Sequence, residues 1–149
     1  MITKIGKEKL EKYIQELKLE LERTYDERSK AAAEGDLKEN SAYIFMGERA
    51  QVLNSQISEA QDDLNMAVIQ TAPQHTKTIE FGHQVKVYFE QDKRELTITL
   101  VGKNDARLKP DWISFQSPIG QALFGKKKSD QVLVNDQLIT IVEISIGEI

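Results

Sequence analysis

The stretch "AEGDLKENSAY", residues 33–43, joins two long segments whose apolar residues recur every three or four positions. Neither segment contains proline, and both are rich in Leu, Glu, Lys, Gln and Ala, so each is predicted to be a helix. Because the join is too short for anything but a reversal around Gly35, the two apolar seams should pack as an antiparallel coiled-coil hairpin. The seam positions are Leu10, Ile14, Leu17 and Leu21, weakening through Thr24 and Arg28 to Ala31, and then Tyr43, Met46, Ala50, Leu53, Ile57, Ala60, Leu64 and Ala67.

Helices of this length would form a rod of roughly 40 Å, since an α-helix rises about 1.5 Å per residue. The seam residues are all used inside the hairpin, so its tip is expected to project into solvent and to be presented to another molecule. Arg28 occupies a seam position close to that tip. We expect its guanidinium group to pair with a carboxylate such as Glu48.

Composition restricts the class of protein. The chain has 149 residues, of which 40% are hydrophobic and 30% charged, as is typical of a soluble globular protein with one or two domains. No apolar run reaches the roughly 20 residues of a membrane span, and "MITKIGKEKL" lacks the apolar core of a secretory signal, so we expect a cytoplasmic protein without a membrane partner. The absence of cysteine excludes disulfides and thiolate metal sites. The net charge of −4 argues against a protein that coats nucleic acid by itself.

The periodicity changes after Val68. "TAPQHT" resembles a linker, and the alternating segments "QVKVYFE" and "ELTITLV" predict half-buried strands, with Leu96, Ile98 and Leu100 on one face of the second. Three more strands are predicted in "WISF", "QVLV" and "LITIVEISI", the last two joined by a turn at Asn135 and Asp136. A short helix should begin after Ser117 and end at Gly125. The predicted fold class is therefore α+β, with a helical hairpin over residues 1–72 and a mostly antiparallel sheet domain over residues 73–149.

Two carboxylates in the opening stretch allow two interpretations. Asp36 can cap the second helix, and Glu39, three residues later, can complete a capping box that satisfies free backbone amides. The same pair could instead supply oxygen ligands to Mg²⁺, which often takes only one or two protein carboxylates. The pattern alone favours capping, because capping boxes are common.

The motif "GDLKENSAY" between two heptad helices, followed by "SPIGQALFGKKKSDQVLV", resembles the Gre family of bacterial transcript cleavage factors. The resemblance covers nearly the whole chain and implies an N-terminal antiparallel coiled coil and a C-terminal FKBP-like domain. It implies a protein that binds bacterial RNA polymerase, inserts the coiled coil into the secondary channel and stimulates cleavage of backtracked RNA. Such a protein is not itself an enzyme, because the polymerase performs the cleavage.

The resemblance also implies the residues that carry these roles. Asp36 and Glu39 match the acids that recruit Mg²⁺, shared with the polymerase and not bound tightly by the free protein. Gly35, Asn40 and Tyr43 would support this tip. Ser117, Pro118 and Ile119 match the loop that docks on the polymerase. The remaining implied partner is the 3′ end of the nascent RNA, and the free protein is expected to be a monomer.

Some positions depart from the family pattern. Many members carry an acidic residue in place of Ala42, and polar or basic residues in place of Ile44, Phe45 and Gly47. A second interpretation is therefore a non-catalytic homologue that occupies the channel and inhibits the polymerase. A third is a coiled-coil interaction module with no polymerase partner. Ile44 and Phe45 could pack around the loop, or contact the channel wall or a displaced base.

Other candidate sites have simpler interpretations. His75 and His83 have no neighbouring ligand residues in the sequence, so a metal site is not expected and both are predicted to lie at the surface. The run Lys126, Lys127 and Lys128 is either a solvated turn or a basic contact for an acidic partner surface. The chain contains none of the motifs GxGxxG, GxxxxGK or GxSxG, so nucleotide-binding and serine-hydrolase activities have no support.

Overall fold

The two predicted long helices are present. The computed structural model of the chain describes residues 1–35 and 37–149, and the side chains of residues 34 and 37–40 lie outside this description. Helix α1 spans Lys4–Glu34 and helix α2 spans Leu37–Asn65. With 31 and 29 residues, they are about 46 and 43 Å long at 1.5 Å per residue.

The seam residues of these helices are buried or half-buried, as the heptad pattern predicts. Polar contacts also join the helices, because the amide of Asn54 donates a 3.0 Å hydrogen bond to the hydroxyl of Tyr25 and Arg49 forms an ion pair with Glu20. Arg28, late in α1, lies over the ring of Tyr43, early in α2, whereas Glu20, earlier in α1, meets Arg49, later in α2, which confirms the antiparallel hairpin. The buried seam residues are Leu10, Ile14, Leu17 and Thr24 on α1 and Ala50, Leu53 and Ala60 on α2.

The chain divides into two compact units. Residues 8–66 form the helical unit, and Met1–Lys7 belongs with Ala67–Ile149 in the sheet unit. Over the described parts of the chain, neither long helix nor the short one contains an apolar stretch sufficient to cross a membrane.

The sheet unit contains five strands and one short helix in the order that the sequence predicts. The strand order across the sheet is β3-β2-β1-β5-β4, and all neighbouring pairs are antiparallel except β2 and β3, which are parallel. The fold class is therefore α+β, as predicted, and is consistent with an FKBP-like sheet domain. The elements are β1 His83–Phe89, β2 Arg94–Val101, β3 Trp112–Ser114, α3 Pro118–Leu123, β4 Gln131–Val134 and β5 Gln137–Ile146.

Strand β1 lies in the middle of the sheet and shows regular alternation, with Val85, Val87 and Phe89 buried. Strand β2 departs from the predicted alternation, because Leu96 is exposed whereas all four residues from Ile98 to Val101 are buried. Strand β3 pairs with β2 only from Thr99 onward, so Leu96 lies outside this pairing. From Thr99 onward, a second apolar cluster covers the face of β2 that does not contact the main core. That cluster contains Phe81, Val101 and Trp112, whereas Ile98 and Leu100 belong to the main core.

The predicted turn between β4 and β5 is present. Asn135 and Asp136 have φ angles of 50° and 63°, in the left-handed region that Asn and Asp tolerate best among residues with a side chain. Two consecutive residues of this kind match the right-handed twist of the flanking strands, and the pairing Val134 with Gln137 closes the hairpin.

The first residues of the chain are held by a buried carboxyl group. Asp105, in the loop between β2 and β3, has no exposed surface and accepts hydrogen bonds from the backbone N–H of Thr3 at 3.1 Å and from its hydroxyl at 2.5 Å. The Thr3 hydroxyl in turn accepts from the N–H of Gly6 at 2.9 Å, so Thr3 caps α1. A side chain on Gly6 would overlap the Asp105 carboxyl group. Asp105 therefore fixes the start of α1 within the sheet unit.

We predict that Asp105→Ala lowers the free energy of unfolding by about 2 kcal/mol, because the two Thr3 donors would lose their buried partner. Thermal or denaturant unfolding measures this change. Asp92→Ala, at an exposed position in the same unit, is the control and should cost less than about 0.5 kcal/mol. Equal stability of the two variants would contradict a structural role for Asp105.

Candidate functional site

The connection between α1 and α2 is where the predicted catalytic acids occur in the sequence. Gly35 has a φ of 74°, the left-handed conformation expected just after a helix end. Asp36 lies outside the described residues. The backbone of Glu39 and Asn40 belongs to the first turn of α2, but their side chains lie outside the description. The capping and metal-binding roles of Asp36 and Glu39 therefore stay predictions.

Tyr43, one turn further along α2, contacts a cation. The guanidinium carbon of Arg28 lies 4.2 Å from the centre of the Tyr43 ring. Within the described residues, Arg28 forms no ion pair with Glu48, so the choice of Glu48 as its partner is wrong. The absence of a side chain at Gly47 explains the difference, since a Cβ there would lie 3.0 Å from a guanidinium nitrogen of Arg28. The cation thus occupies a space that Gly47 leaves and packs on the Tyr43 face.

A groove of about 290 Å³ lies beside this contact, lined among others by Tyr25, Tyr43, Ile44 and Gln51. Ile44 and Phe45 are 55% and 61% exposed. They are therefore not part of the buried seam of the hairpin, and whether they pack around the connecting loop stays a prediction, because Asp36 and the side chains of residues 37–40 lie outside the described residues.

Two arginine side chains of the helical unit make contacts within that unit. Arg28 packs on Tyr43, with its Nε buried and without a hydrogen-bond partner, and Arg49 pairs with Glu20. No group of three or more His, Cys, Asp or Glu side chains in the described chain could hold a metal ion.

The second predicted site, at the start of α3, is well ordered by hydrogen bonds. Ser117 is extended, with φ −68° and ψ 160°, and its hydroxyl accepts from the N–H of Gly120 at 3.1 Å while donating to the carbonyl of Ser114 at 2.6 Å. Pro118 is exposed at the first helical position, where a missing N–H costs nothing. Ile119 is half-buried and packs on the main core. The structure thus brings the predicted docking residues Ser117, Pro118 and Ile119 together in one fixed turn.

Sequence analysis missed the importance of Gly120 in this turn. Gly120 is buried, and a Cβ there would lie 2.7 Å from the Cα of Phe115. The close approach lets α3 pack directly on the segment that follows β3. The available signal was a glycine inside a very short helix, where it is unfavourable unless another backbone comes close.

His83 is not at the surface, in contrast to the prediction. It has no exposed area, and its Nδ1 accepts a 2.9 Å hydrogen bond from the N–H of Glu80. Since Nδ1 accepts, the proton of the neutral ring is on Nε2, which is buried without a partner. His75 lies edge-on to it at 5.9 Å. His83 is therefore a core residue at the start of β1.

Comparison with known families identifies the class of protein to which the two units belong. Residues 1–69 match the family described as transcription elongation factor, N-terminal, and residues 73–146 match transcription elongation factor, GreA/GreB, C-term. The chain is a transcription elongation factor. It belongs to the GreA/GreB family, which confirms the resemblance inferred from the motifs.

Two GreA relatives agree with this assignment. The transcription elongation factor GreA of Alkalilimnicola ehrlichii is 35% identical over 136 residues, covering 89% of this chain and 86% of the relative. GreA of Nitratiruptor sp. is 30% identical over 134 residues, covering 89% and 82%. The crystal structure of GreA factor homolog 1 (Gfh1) of Thermus thermophilus is 21% identical and covers 97% of each chain, with a TM-score of 0.45. The similarity to GreA proteins extends over most of both chains.

We predict that Ser117→Ala lowers the free energy of unfolding by about 1 kcal/mol, because Gly120 loses its cap and the Ser114 carbonyl loses a donor. Ser117→Thr retains the hydroxyl and should stay close to the parent. Thermal unfolding of the two variants measures the difference. A stable Ser117→Ala protein would show that the cap does not fix this turn.

Proposed function

We propose that the protein stimulates RNA polymerase to cleave backtracked nascent RNA. The observation that carries the proposal is that two helices of 31 and 29 residues meet at a short connection whose sequence contains Asp36 and Glu39. Membership of the GreA/GreB family supports it. In this proposal the hairpin of residues 1–72 enters the secondary channel, and the domain of residues 73–149 docks on the polymerase.

The chemistry follows from what two carboxylates can do beside a metal ion. Mg²⁺ binds hard oxygen ligands and keeps several waters, so one or two added carboxylates complete a site that another macromolecule partly provides. A metal ion placed in this way lowers the pKa of its bound water and stabilises the charge that develops on the phosphodiester. Asp36 and Glu39 would supply these ligands, with Gly35, Asn40 and Tyr43 supporting the turn.

The protein acts in trans in this proposal and is not itself a nuclease. The polymerase supplies the RNA 3′ end, its own carboxylates and the first metal ion, and this chain supplies two ligands. A factor that only completes a site binds Mg²⁺ weakly when free. Ser117, Pro118 and Ile119 would hold the polymerase, and the proposed setting is the cytoplasm, with the free protein a monomer.

We predict that Asp36→Asn and Glu39→Gln each reduce the rate of transcript cleavage in stalled complexes at least about tenfold, because an amide is a poor Mg²⁺ ligand. Polymerase affinity should stay within about twofold of the parent. Glu59→Gln, at an exposed position of α2 further along the helix, is the control and should cleave normally. If both acid variants also cleave normally, the assignment of these residues is wrong.

A channel-blocking inhibitor is the second candidate function. It is favoured by Ala42, where many family members carry an acid, and by the exposed apolar residues Ile44 and Phe45. One paused complex distinguishes the two functions, because RNA synthesis and RNA cleavage can be followed in the same sample. An inhibitor suppresses synthesis without raising cleavage, and a cleavage factor raises cleavage.

Phe45 provides a test of the surface next to the acids. If its exposed ring contacts the channel wall or a displaced RNA base, Phe45→Ala should lower stimulated cleavage about three- to tenfold, since stacking or burial of one ring is worth about 1 kcal/mol or more. Val52→Ala is the matched control, because Val52 is 48% exposed on α2 but lies further along the helix. Equal rates of stimulated cleavage with Phe45→Ala and with the parent would contradict such a contact.

A further inference from the structure

The buried part of the hairpin seam stops before the helices reach their connection. Among the described side chains, Thr24 is the last buried residue of α1 and Ala50 is the first buried residue of α2. The turns closest to the connection are therefore held by something other than a continuous buried seam. The seam residues in these turns are half-buried, and they are Arg28 and Ala31 on α1 and Tyr43 and Met46 on α2.

The guanidinium group of Arg28 fills this part of the seam. Its carbon lies 4.2 Å from the centre of the Tyr43 ring, a distance at which a cation is attracted to the ring face. A Cβ at Gly47 would lie 3.0 Å from a guanidinium nitrogen and 3.1 Å from the guanidinium carbon. Arg28 thus contacts two positions one turn apart on α2. Arg28, Tyr43 and Gly47 together form the Arg28 cluster.

Stability alone does not explain an arginine at this seam position. The Nε of Arg28 is buried and has no hydrogen-bond partner within the described residues, whereas an aliphatic side chain would bury no polar atom. A guanidinium group is planar, and its face restricts the orientation of an aromatic ring on which it stacks. The Arg28 cluster therefore fixes the rotation of α2 about its own axis where the buried seam has ended.

The rotation of α2 decides the direction of position 39. Helix α2 begins at Leu37, so Glu39 and Tyr43 belong to the same helix, four residues apart. Residues at this interval lie on the same side of a helix. A rotation that moves Tyr43 about the helix axis therefore moves the backbone of residue 39 by the same angle.

We propose that Arg28 is a positioning residue, which holds the first turns of α2 through Tyr43 and Gly47 so that the acids at positions 36 and 39 can complete a Mg²⁺ site. The inference rests on the proposed function, because it concerns the same two acids. Arg28 itself contacts neither metal nor RNA. It reduces the conformational freedom that the two ligands would otherwise lose when the metal binds.

A direct contact between Arg28 and RNA is a different interpretation, and the geometry favours positioning. The side chain is half-buried, one face of its guanidinium group lies on Tyr43, and its Nε is not accessible to solvent. A phosphate group would have to draw the guanidinium group away from the ring. The experiments below therefore include variants that keep the arginine and change only what surrounds it.

Hydrogen exchange of the free protein tests the Arg28 cluster without polymerase or metal. We expect Arg28→Leu to raise the exchange rates of the amides of residues 41–44 about fivefold or more, while the amides around Leu53 exchange as in the parent. Leucine keeps an apolar residue in the seam, so unfolding should occur near the denaturant concentration of the parent. Arg23→Leu removes the same charge at an exposed position of α1 and is the matched control. Unchanged exchange in Arg28→Leu would overturn the inference.

The Mg²⁺ dependence of stimulated cleavage tests the positioning role. We expect Arg28→Leu to raise the Mg²⁺ concentration for half-maximal cleavage about three- to tenfold, because displaced carboxylates bind the metal less well. The rate should recover at saturating Mg²⁺, and polymerase affinity should stay within about twofold of the parent. Arg23→Leu should show the Mg²⁺ dependence of the parent. A loss of cleavage that Mg²⁺ does not restore would assign Arg28 to RNA or polymerase contact and overturn positioning.

Variants on α2 separate positioning from the loss of a positive charge. Tyr43→Leu should reproduce the Mg²⁺ effect of Arg28→Leu, and Tyr43→Phe should recover it because the ring face is kept. The double variant Arg28→Leu/Tyr43→Leu should show no larger effect than either single variant, since both remove one contact. Additive effects of the two substitutions would contradict a role of Arg28 through Tyr43.

Gly47→Leu keeps both members of the stacked pair and fills the space that the guanidinium group occupies. Leucine favours a helix more than glycine does, so any effect does not come from loss of helix propensity. We expect the same rise in the Mg²⁺ requirement and the same faster exchange of residues 41–44. Parent behaviour of Gly47→Leu in both measurements would show that the place of the guanidinium group does not matter.

The outcomes distinguish this inference from the proposed function. If the parent does not stimulate cleavage, the proposed function fails, and the positioning role that rests on it fails too. If the parent stimulates cleavage and Arg28→Leu has the Mg²⁺ dependence of the parent, only the positioning role is wrong.

Discussion

The packing of the α1 seam against the α2 seam is the constraint on which the helical unit depends. Two helices of about 30 residues are stable here because aliphatic side chains at heptad spacing exclude water along their length. Ala50 and Ala60 are buried at positions where a larger residue would hold the helices apart, and Leu53 between them has no exposed area.

Some positive charges of the chain are used in internal contacts, whereas others are left exposed. In the helical unit, Arg28 packs on Tyr43 and Arg49 pairs with Glu20, so these cations stabilise the hairpin. In the sheet unit, the lysines 126–128 are unpaired within the described chain.

Local sequence signals determined much of the fold and part of the candidate site. The heptad seams, the alternation of β1, the left-handed Gly35 and the turn at Asn135 and Asp136 depend on residues close in the chain, and the structure contains all of them. The Ser117 cap is of the same kind, because a Ser-Pro pair at a helix start satisfies its own free amides. Asp36 and Glu39 were identified as candidate metal ligands from the sequence motif alone.

Contacts between distant residues were decided only by the tertiary structure. The pairing of β2 with β3 begins only at Thr99 and leaves Leu96 exposed. The carboxyl group of Asp105 bonds to Thr3, 102 residues away in the sequence. His83 is buried. Arg28 rests on Tyr43 because Gly47 leaves space on the facing helix. The sequence by itself determined which elements form, since propensity, capping and periodicity act within a few residues. Which side chains become buried, paired or presented on a surface depends on which elements become neighbours, and no local pattern encodes that choice.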